Sequence, residues 1–303
     1  MSLGKARLPT HAELTNFFET FLPPQNNITD VPFLYHTPRH PLYTPTRSTA
    51  ARVILSITPT PGFYEAVNTG SAPVCFLHRP WALDRRNVRR GSLVLACHKS
   101  FDAHLTVGWN VELGRRLGAC IETAVCLQGY KGDPERKIGL VAKLNEPTPL
   151  STIARAIRAE FGGIGDVFPA SAQGVHLDAD IFADKVVSVL AIMNAFHAEE
   201  VNRVLEAAHS CQWINDPKKG ADVLYLTGEA REYGLEAIAR FAMSAVCVGH
   251  RACEEWGIRY LAAETRKRWS DIEVIEVLEA EEPRDPKQAH EQPRNGSNST
   301  VNK

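Results

Sequence analysis

Short apolar runs alternate with amphipathic stretches along the chain from about residue 51 to about residue 280. Most runs are continuously apolar, which is typical of strands buried on both faces of a sheet between helices. The stretches between them place apolar residues three and four positions apart, as in PLSTIARAIRAEFG, which indicates helices with one buried face. The pattern predicts an α/β fold with mixed, largely parallel sheets flanked by helices.

The predicted elements follow directly from these runs. The predicted strands are ARVILSI, APVCFLH, SLVLACH, RKIGLVAKL, KVVSVLAIM, ADVLYLTG, SAVCVGH and DIEVIEVLE, of which the last alternates as a half-exposed strand does. The predicted helices are HAELTNFFETFL, GFYEAVNTG, TVGWNVELGRRLG, PLSTIARAIRAEFG, HAEEVNRVLEAAHS, AREYGLEAIARFA and RACEEWGIRYLAAETRKRW.

Four segments are expected along the chain. Residues 1–50 are predicted to form a helix and a proline-rich wrapping segment without regular structure. Residues 51–130 form the first predicted α/β half, and residues 131–280 form the second, including a connecting strand and helix. Residues 281–303 have almost no apolar side chains to offset the entropy of ordering, so they are predicted to be a disordered tail.

Charge and cysteine content narrow the class of protein. The chain has 34 basic and 35 acidic residues, which argues against a globally basic nucleic-acid binder. Its seven cysteines form no CxxC pair, which argues against a disulfide framework and a structural zinc knot. No signal-peptide core and no bilayer-length apolar run is visible. We therefore expect a soluble protein of the cytoplasm or nucleus, without a membrane partner.

Ligand-type side chains directly follow three of the predicted buried strands. His78 follows APVCFL, His98 and Asp102 lie in HKSFD after SLVLAC, and His250 and Glu254 lie in GHRACEE after SAVCV. The carboxyl ends of parallel strands are where open α/β sheets place their ligands. On a helix, His250 and Glu254 are four residues apart and face the same way. The positions therefore predict one shared site.

Each of these residues also has a purely structural interpretation. A strand-terminal histidine such as His78 is often simply buried, Asp102 can cap a helix, and His–Glu pairs four residues apart are common on solvated helices. His98 is interpreted either as a substrate contact or ligand-supporting residue, or as a structural histidine. Taken together, however, His78, Asp102, His250 and Glu254 form the mixed nitrogen and oxygen set that suits zinc, iron or manganese.

Several of these segments resemble the Nif-three-like family. The resemblance is carried by the strand-terminal histidine before Arg-Pro, by HKSFD with the later GWN, by LYLTGEA at 224–230 and by VGHRACEEWGIRYLA at 248–262. It runs discontinuously from about residue 51 to about residue 280. The family is also described as dinuclear-metal-centre hexameric proteins, some of them as GTP cyclohydrolase type 2. The resemblance therefore implies two related α/β halves, a homohexamer and two metal ions per subunit.

The metal ligands implied by the resemblance are His78, Asp102, His250 and Glu254, but the family's second histidine falls on Arg79. Arginine has no lone pair to offer and cannot ligate a metal. Losing one ion would leave Asp102 and Glu254 close together with like charges. We therefore expect a one-metal site in which the Arg79 guanidinium lies between these carboxylates. The family's WDN-type segment is also absent from DVPFLYH, and MNAFHAEE replaces a glycine-rich turn.

A basic cluster separates the first two ligand segments. Arg85, Arg86, Arg89 and Arg90 lie in LDRRNVRRG, which is interpreted either as a solvated loop or as a phosphate-binding rim near the metal.

Three candidate functions follow from the sequence features taken together. The first is a metal-dependent hydrolase of a nucleotide or phosphorylated small molecule. The second is a catalytically degenerate, metal-stabilised scaffold or interaction protein. The third is a phosphate- or nucleic-acid-binding module.

Overall fold

The structure, a computed structural model, describes residues 7–23, 30–169 and 185–280. Its helices are α1 (His11–Phe21), α2 (Pro61–Asn68), α3 (Lys99–His104), α4 (Val111–Arg116), α5 (Leu150–Glu160), α6 (Ala198–Ser210), α7 (Glu232–Arg240) and α8 (His250–Arg268). Its strands are β1 (Leu34–His36), β2 (Arg52–Ser56), β3 (Val74–Leu77), β4 (Leu93–Ala96), β5 (Val125–Tyr130), β6 (Asp133–Pro149), β7 (Asp166–Phe168), β8 (Val186–Met193), β9 (Val223–Thr227), β10 (Ser244–Cys247) and β11 (Glu273–Val277).

Two mixed sheets form the framework of the fold. The first has the order β1-β4-β3-β2-β11, and all of its pairings are parallel except that of β1 with β4. The second has the order β5-β6-β8-β9-β10-β7, with β8, β9 and β10 parallel and the outer pairings antiparallel. The predicted α/β class with mixed sheets flanked by helices is therefore confirmed.

Helix α8 links the two sheets. It starts just after β10 of the second sheet, and the chain beyond its last turn enters β11 of the first. Trp256, near its start, packs in a hydrophobic core with β6, β8 and β9, whereas Ile258 and Leu261 pack in a core with β2, β3 and β4. Side chains at the start of α8 therefore lie where both sheets are close.

Continuous burial of the central strands explains why the apolar runs form parallel strands. Every residue of β2, β3, β4, β9 and β10 is buried. Strand β11 is half-exposed, as its alternation predicts, because it lies at the edge of the first sheet. The N-terminal helix begins with a capping box, in which Thr10 and Glu13 satisfy each other's backbone N–H groups.

The structure differs from the predicted segments in several places. Residues 34–36, in the segment predicted to lack regular structure, form β1, whose partner β4 is distant in sequence. The two sheets do not coincide with the segments predicted on either side of residue 130. Strand β5, from the first segment, joins the second sheet through its hairpin with β6, and β11, from the second segment, joins the first sheet. The helix predicted at 106–118 is limited to Val111–Arg116, while the unpredicted α3 precedes it.

Two further expectations concern the tail and the membrane. The predicted disordered tail, residues 281–303, lies outside the described residues. Among the helices of the described residues, none has the length and apolar character needed to cross a bilayer.

Candidate metal centre

Three elements bring the ligand-type side chains together. His78 directly follows β3, Asp102 lies in α3, and α8 supplies His250 as its first residue and Glu254 one turn later. Gly249, which lies between β10 and α8, has a φ of +86°, in the left-handed region that glycine adopts without strain. This turn allows α8 to begin immediately beyond the carboxyl end of β10.

A close approach of α8 to α3 sets the distance between the two carboxylates. A Cβ atom on Gly257 of α8 would lie 2.5 Å from Cζ of Phe101 and 2.6 Å from the carbonyl oxygen of Leu105. Only a residue without a side chain allows this packing. Phe101 adjoins Asp102, and Gly257 lies about one turn after Glu254. The contact between Gly257 and Phe101 therefore keeps Asp102 and Glu254 close to each other.

His78 lies at the centre of the site. Its Nε2 is 3.4 Å from Oδ1 of Asp102 and 3.2 Å from Oε1 of Glu254. Nε2 of His250 is 3.3 Å from the same Oε1 of Glu254, and Nε2 of His98 is 3.7 Å from Oδ2 of Asp102. The structure thus brings together the four predicted ligand-type residues and adds His98 to them.

The orientation of the His78 ring is compatible with metal binding through Nε2. Its Nδ1 lies 3.1 Å from the carbonyl oxygen of Cys97, and because a carbonyl only accepts, Nδ1 donates. In the neutral ring this bond leaves the lone pair on Nε2, which faces the carboxylates. The residue is 0% exposed, and its Nε2 lies against the carboxylate oxygens of Asp102 and Glu254. A buried nitrogen of this kind fits a divalent cation held between the two carboxylates.

The charges of the site compensate one another without a metal. Burial lowers the pKa of His78, but hydrogen bonding to and charge from Asp102 and Glu254 outweigh burial and raise it to about 9. Burial raises the pKa of Asp102 and of Glu254, but contacts with the histidines, chiefly His78 and His250, outweigh it and hold both pKa values below their usual range. In the metal-free protein an imidazolium therefore occupies the place between two carboxylates.

His98 has the properties of a ligand that sequence reasoning did not assign to it. Ligand atoms of His78, His98 and Asp102 lie within 4.8 Å of one another, a grouping that can hold one ion. Burial lowers the pKa of His98, which favours the neutral form that binds metal. The signal was present in the sequence: His98 and Asp102 are four residues apart, the same spacing as His250 and Glu254, but α3 was not predicted.

Arg79 lies at one side of the site rather than between the carboxylates. Its guanidinium NH2 group is 2.7 Å from Oε2 of Glu254. The group between Asp102 and Glu254 is His78, and a second guanidinium, that of Arg136, lies 3.9 Å from Oδ2 of Asp102. Arg136 belongs to β6 of the second sheet, so its place at the site depends on the packing of the two sheets, which the sequence pattern does not give.

A small cavity opens beside His250. It has a volume of about 50 Å³ and is bordered by residues that follow β8 and β9, among them Asn194, Phe196 and Glu229. Asn194 also donates through Nδ2 to the carbonyl oxygen of Asp102, at 3.3 Å. MNAFHAEE, the segment that departs from the family pattern, therefore borders the site. The predicted rim arginines Arg85, Arg86 and Arg90 line a different cavity.

A sequence profile described as Duf34/NIF3 (NGG1p interacting factor 3) matches residues 85–286, about two thirds of the chain. The chain belongs to the Duf34/NIF3 family. The family resemblance of the sequence is thereby confirmed. The Duf34/NIF3 match begins after His78 and Arg79, which directly follow β3.

The relatives of this Duf34/NIF3 chain are distant. A Pseudomonas aeruginosa protein named GTP cyclohydrolase 1 type 2 homolog is 24% identical over 239 residues, which cover 74% of this chain and 82% of the relative. The solved structure of protein ybgI, described as of unknown function, is 18% identical with a TM-score of 0.55, covering 89% of this chain and 98% of that one. A Bacillus cereus protein related to NIF3 is 12% identical with a TM-score of 0.54, covering 92% and 99%. These structures share the fold.

Proposed function

We propose that this protein binds one divalent metal ion through His78, Asp102, His250 and Glu254, with His98 beside them, and uses it to hydrolyse a phosphorylated small molecule. The observation that carries the proposal is the buried Nε2 of His78, which lies within 3.4 Å of carboxylate oxygens from both Asp102 and Glu254. Imidazole and carboxylate ligands suit zinc, iron or manganese.

Two arginines reduce the need for a second ion at this site. Arg79 pairs with Glu254, and Arg136 lies near Asp102, so each carboxylate already has a fixed positive neighbour. A second divalent ion would have to bind next to these guanidiniums, which is electrostatically unfavourable. The proposal is therefore one ion per chain, with Arg79 at the position of the ligand that a second ion would need.

The bound ion would supply a polarised substrate oxygen and a water of lowered pKa. The other parts of the reaction belong to this chain. Asp102 and Glu254 would hold the ion, and His98, whose pKa is lowered by burial, would add a neutral imidazole beside Asp102. His250 is more than half exposed and borders the small cavity, so this is the side from which a substrate reaches the ligands.

The substrate class is proposed from the relative named GTP cyclohydrolase 1 type 2 homolog and from the arginine at the site. A nucleotide or another phosphorylated small molecule would present oxygens both to the ion and to a guanidinium. The test is turnover of a panel of nucleotides and sugar phosphates by metal-loaded protein, with and without chelator. We expect hydrolysis that chelator and His78→Asn both abolish. Turnover that survives either change contradicts a metal-dependent hydrolase.

The size of the cavity favours a second candidate function. Ligand sites for small molecules usually measure about 300–1,000 Å³, whereas the cavity beside His250 measures about 50 Å³. A chain that keeps the ion but excludes substrates would be a metal-stabilised scaffold or interaction protein. In that case no substrate of the panel is turned over, while chelator still lowers the melting temperature.

A further inference from the structure

A second and much larger cavity lies against β1 and the loop that joins β3 to β4. Its volume is about 860 Å³. We call it the arginine cavity, because the basic side chains along its wall are those of His36, Arg39, His40, Arg85, Arg86 and Arg90. Among the described residues, no carboxylate side chain lines it. The arginines converge from two separate segments of the chain, so they are not merely neighbours in sequence.

The arginines of this cavity lack the partners that arginines have elsewhere in the fold. Arg115, Arg251 and Arg266, for example, each pair with a glutamate. Within the described residues, none of the four arginines of the arginine cavity forms an ion pair with a carboxylate. Four unpaired guanidiniums around one concave surface repel one another, and a bound anion would relieve that repulsion.

The loop that carries three of these arginines is held in place. The Arg85 guanidinium lies 4.9 Å above the ring of Tyr35, a cation–π contact that orients it. The backbone N–H of Arg86 donates to Oδ1 of Asp84 at 2.9 Å, and Val88 is buried. The guanidinium of Arg89 donates to the carbonyl oxygen of Asn68 at 2.9 Å. A ligand would therefore meet a loop whose backbone is held in place and an Arg85 guanidinium that is already oriented.

The electrostatic effect of the cluster is visible at His36. Burial lowers the pKa of this histidine, and the charges of Arg85 and Arg39 lower it further. Two guanidiniums from different segments therefore act on one point of the cavity wall. This agrees with the geometry, in which β1 and the loop before β4 face the same space.

The arginine cavity is separate from the metal centre. Arg90 and Gly91 precede β4, whereas His98 follows it, so the two sites adjoin opposite ends of the same strand. None of the ligand-type residues lines the arginine cavity. Of the two interpretations of the arginine cluster, a phosphate-binding rim beside the metal does not fit this position, because the loop crosses from the carboxyl end of β3 back to the amino end of β4.

We propose that the arginine cavity binds a small ligand carrying several phosphate groups. Guanidinium forks match phosphate oxygens two at a time, and several arginines suit several phosphates. The volume is that of a site for a nucleotide-sized molecule. A nucleic acid needs an extended basic surface, but here the basic residues are confined to one concavity of a chain with a net charge of −1. The proposal does not depend on the proposed hydrolase function.

Calorimetric titration of the full chain with inorganic tripolyphosphate and with ATP, at low ionic strength and with chelator present, tests this proposal. We expect both probes to bind wild type and His78→Asn alike. The double variant Arg86→Gln/Arg90→Gln should bind both at least about tenfold more weakly, because two charge-assisted contacts are lost. The control Arg155→Gln/Arg240→Gln removes the same charge from exposed positions on α5 and α7 and should bind as wild type does.

Three results would overturn the proposal. The first is that neither probe binds wild type. The second is equal weakening in the cavity variant and the control, which would mean that net charge alone attracts the anion. The third is tighter binding of a single-stranded RNA than of ATP, lost in Arg86→Gln/Arg90→Gln, which would assign the surface to nucleic acid. Circular dichroism of both double variants verifies that the fold is unchanged.

Discussion

At the scale of single residues, the site depends on the surroundings of His78. A hydrogen bond to the Cys97 carbonyl fixes the Nδ1 edge of the ring, while Asp102 and Glu254 lie at the Nε2 edge. Two other rings enclose it: Phe101 at a centroid distance of 4.3 Å and His98 at 5.0 Å. His78 therefore has one available orientation, in which Nε2 faces the acidic groups. His250, by contrast, is 57% exposed.

Replacing His78 and His250 separately should reveal this difference. In metal-free protein, His78→Leu removes the imidazolium between two carboxylates and should destabilise the fold by about 3 kcal/mol. His250→Ala removes an exposed partner of Glu254 and should change stability by no more than about 1 kcal/mol. Urea denaturation in the presence of chelator measures both. Equal losses in the free energy of unfolding for the two variants would mean that His78 is not held as an imidazolium between the two carboxylates.

The raised pKa of His78 predicts a pH dependence of the metal-free protein. Its pKa is about 9 in the folded state, against an ordinary value of 6.5. Protonation of the folded state is therefore stabilising: the contribution is fully present below pH 6.5 and is lost as the pH rises through about 9. We expect stability to fall by roughly 2–3 kcal/mol over this window. His78→Asn serves as the control and should lack this part of the decline; a parallel decline in both proteins would contradict the assignment.

At the scale of elements, the close packing of α8 on α3 determines whether the acidic residues meet. Gly257 allows the two helices to approach until its backbone contacts the ring of Phe101 and the carbonyl of Leu105. Glu254 and Asp102 lie beside this contact, on the two helices that it joins. A small change in helix separation would therefore change the distance between the carboxylates.

Gly257→Ala should weaken both the fold and the metal site. The added methyl group overlaps Phe101 and Leu105, so we expect a loss of about 1–3 kcal/mol in stability and reduced metal affinity. Ala263→Gly is the matched control, since it costs up to about 1 kcal/mol through helix propensity at an exposed position of α8 but leaves the α3 contact intact. Isothermal titration with zinc compares the affinities. Unchanged affinity in Gly257→Ala would show that the helix spacing does not set the site.

The elements that the sequence predicts are those governed by local pattern. Continuous apolar runs such as VCFL and VLYLT indicate the buried parallel strands, and the residues after them indicate the site. Strand β1 is only three residues long and exists because β4 lies beside it, so no periodicity marks it. The place of Arg136 beside Asp102 depends on how two sheets pack. Long-range packing of this kind is not encoded in a local pattern.

At the scale of the whole molecule, several large apolar side chains are exposed in the isolated chain. Leu42 is 83% exposed, Tyr233 70% and Trp81 55%. Strands β1, β5 and β7 also lie at sheet edges, where backbone groups are available for pairing. Unpaired strand edges can pair with another chain, and the family resemblance implies a homohexamer.

We therefore expect the purified protein to be a homohexamer. Light scattering coupled to size-exclusion chromatography should give a mass about six times that of the 33.5 kDa chain. Tyr233→Ser and Trp81→Ser each replace one exposed apolar side chain and should shift the mass distribution towards smaller species if that side chain lies at an interface. A monomeric mass for the wild type at micromolar concentration would contradict the expectation.

The central claim is a single divalent ion held at His78 beside an arginine that excludes a second one. Elemental mass spectrometry of the wild type and Arg79→His, purified side by side and dialysed against the same metal, tests it most directly. The account predicts about one tightly held ion per wild-type chain and a second in the variant, because histidine supplies the lone pair that arginine lacks. Two ions in the wild type, or none in either protein, would contradict it.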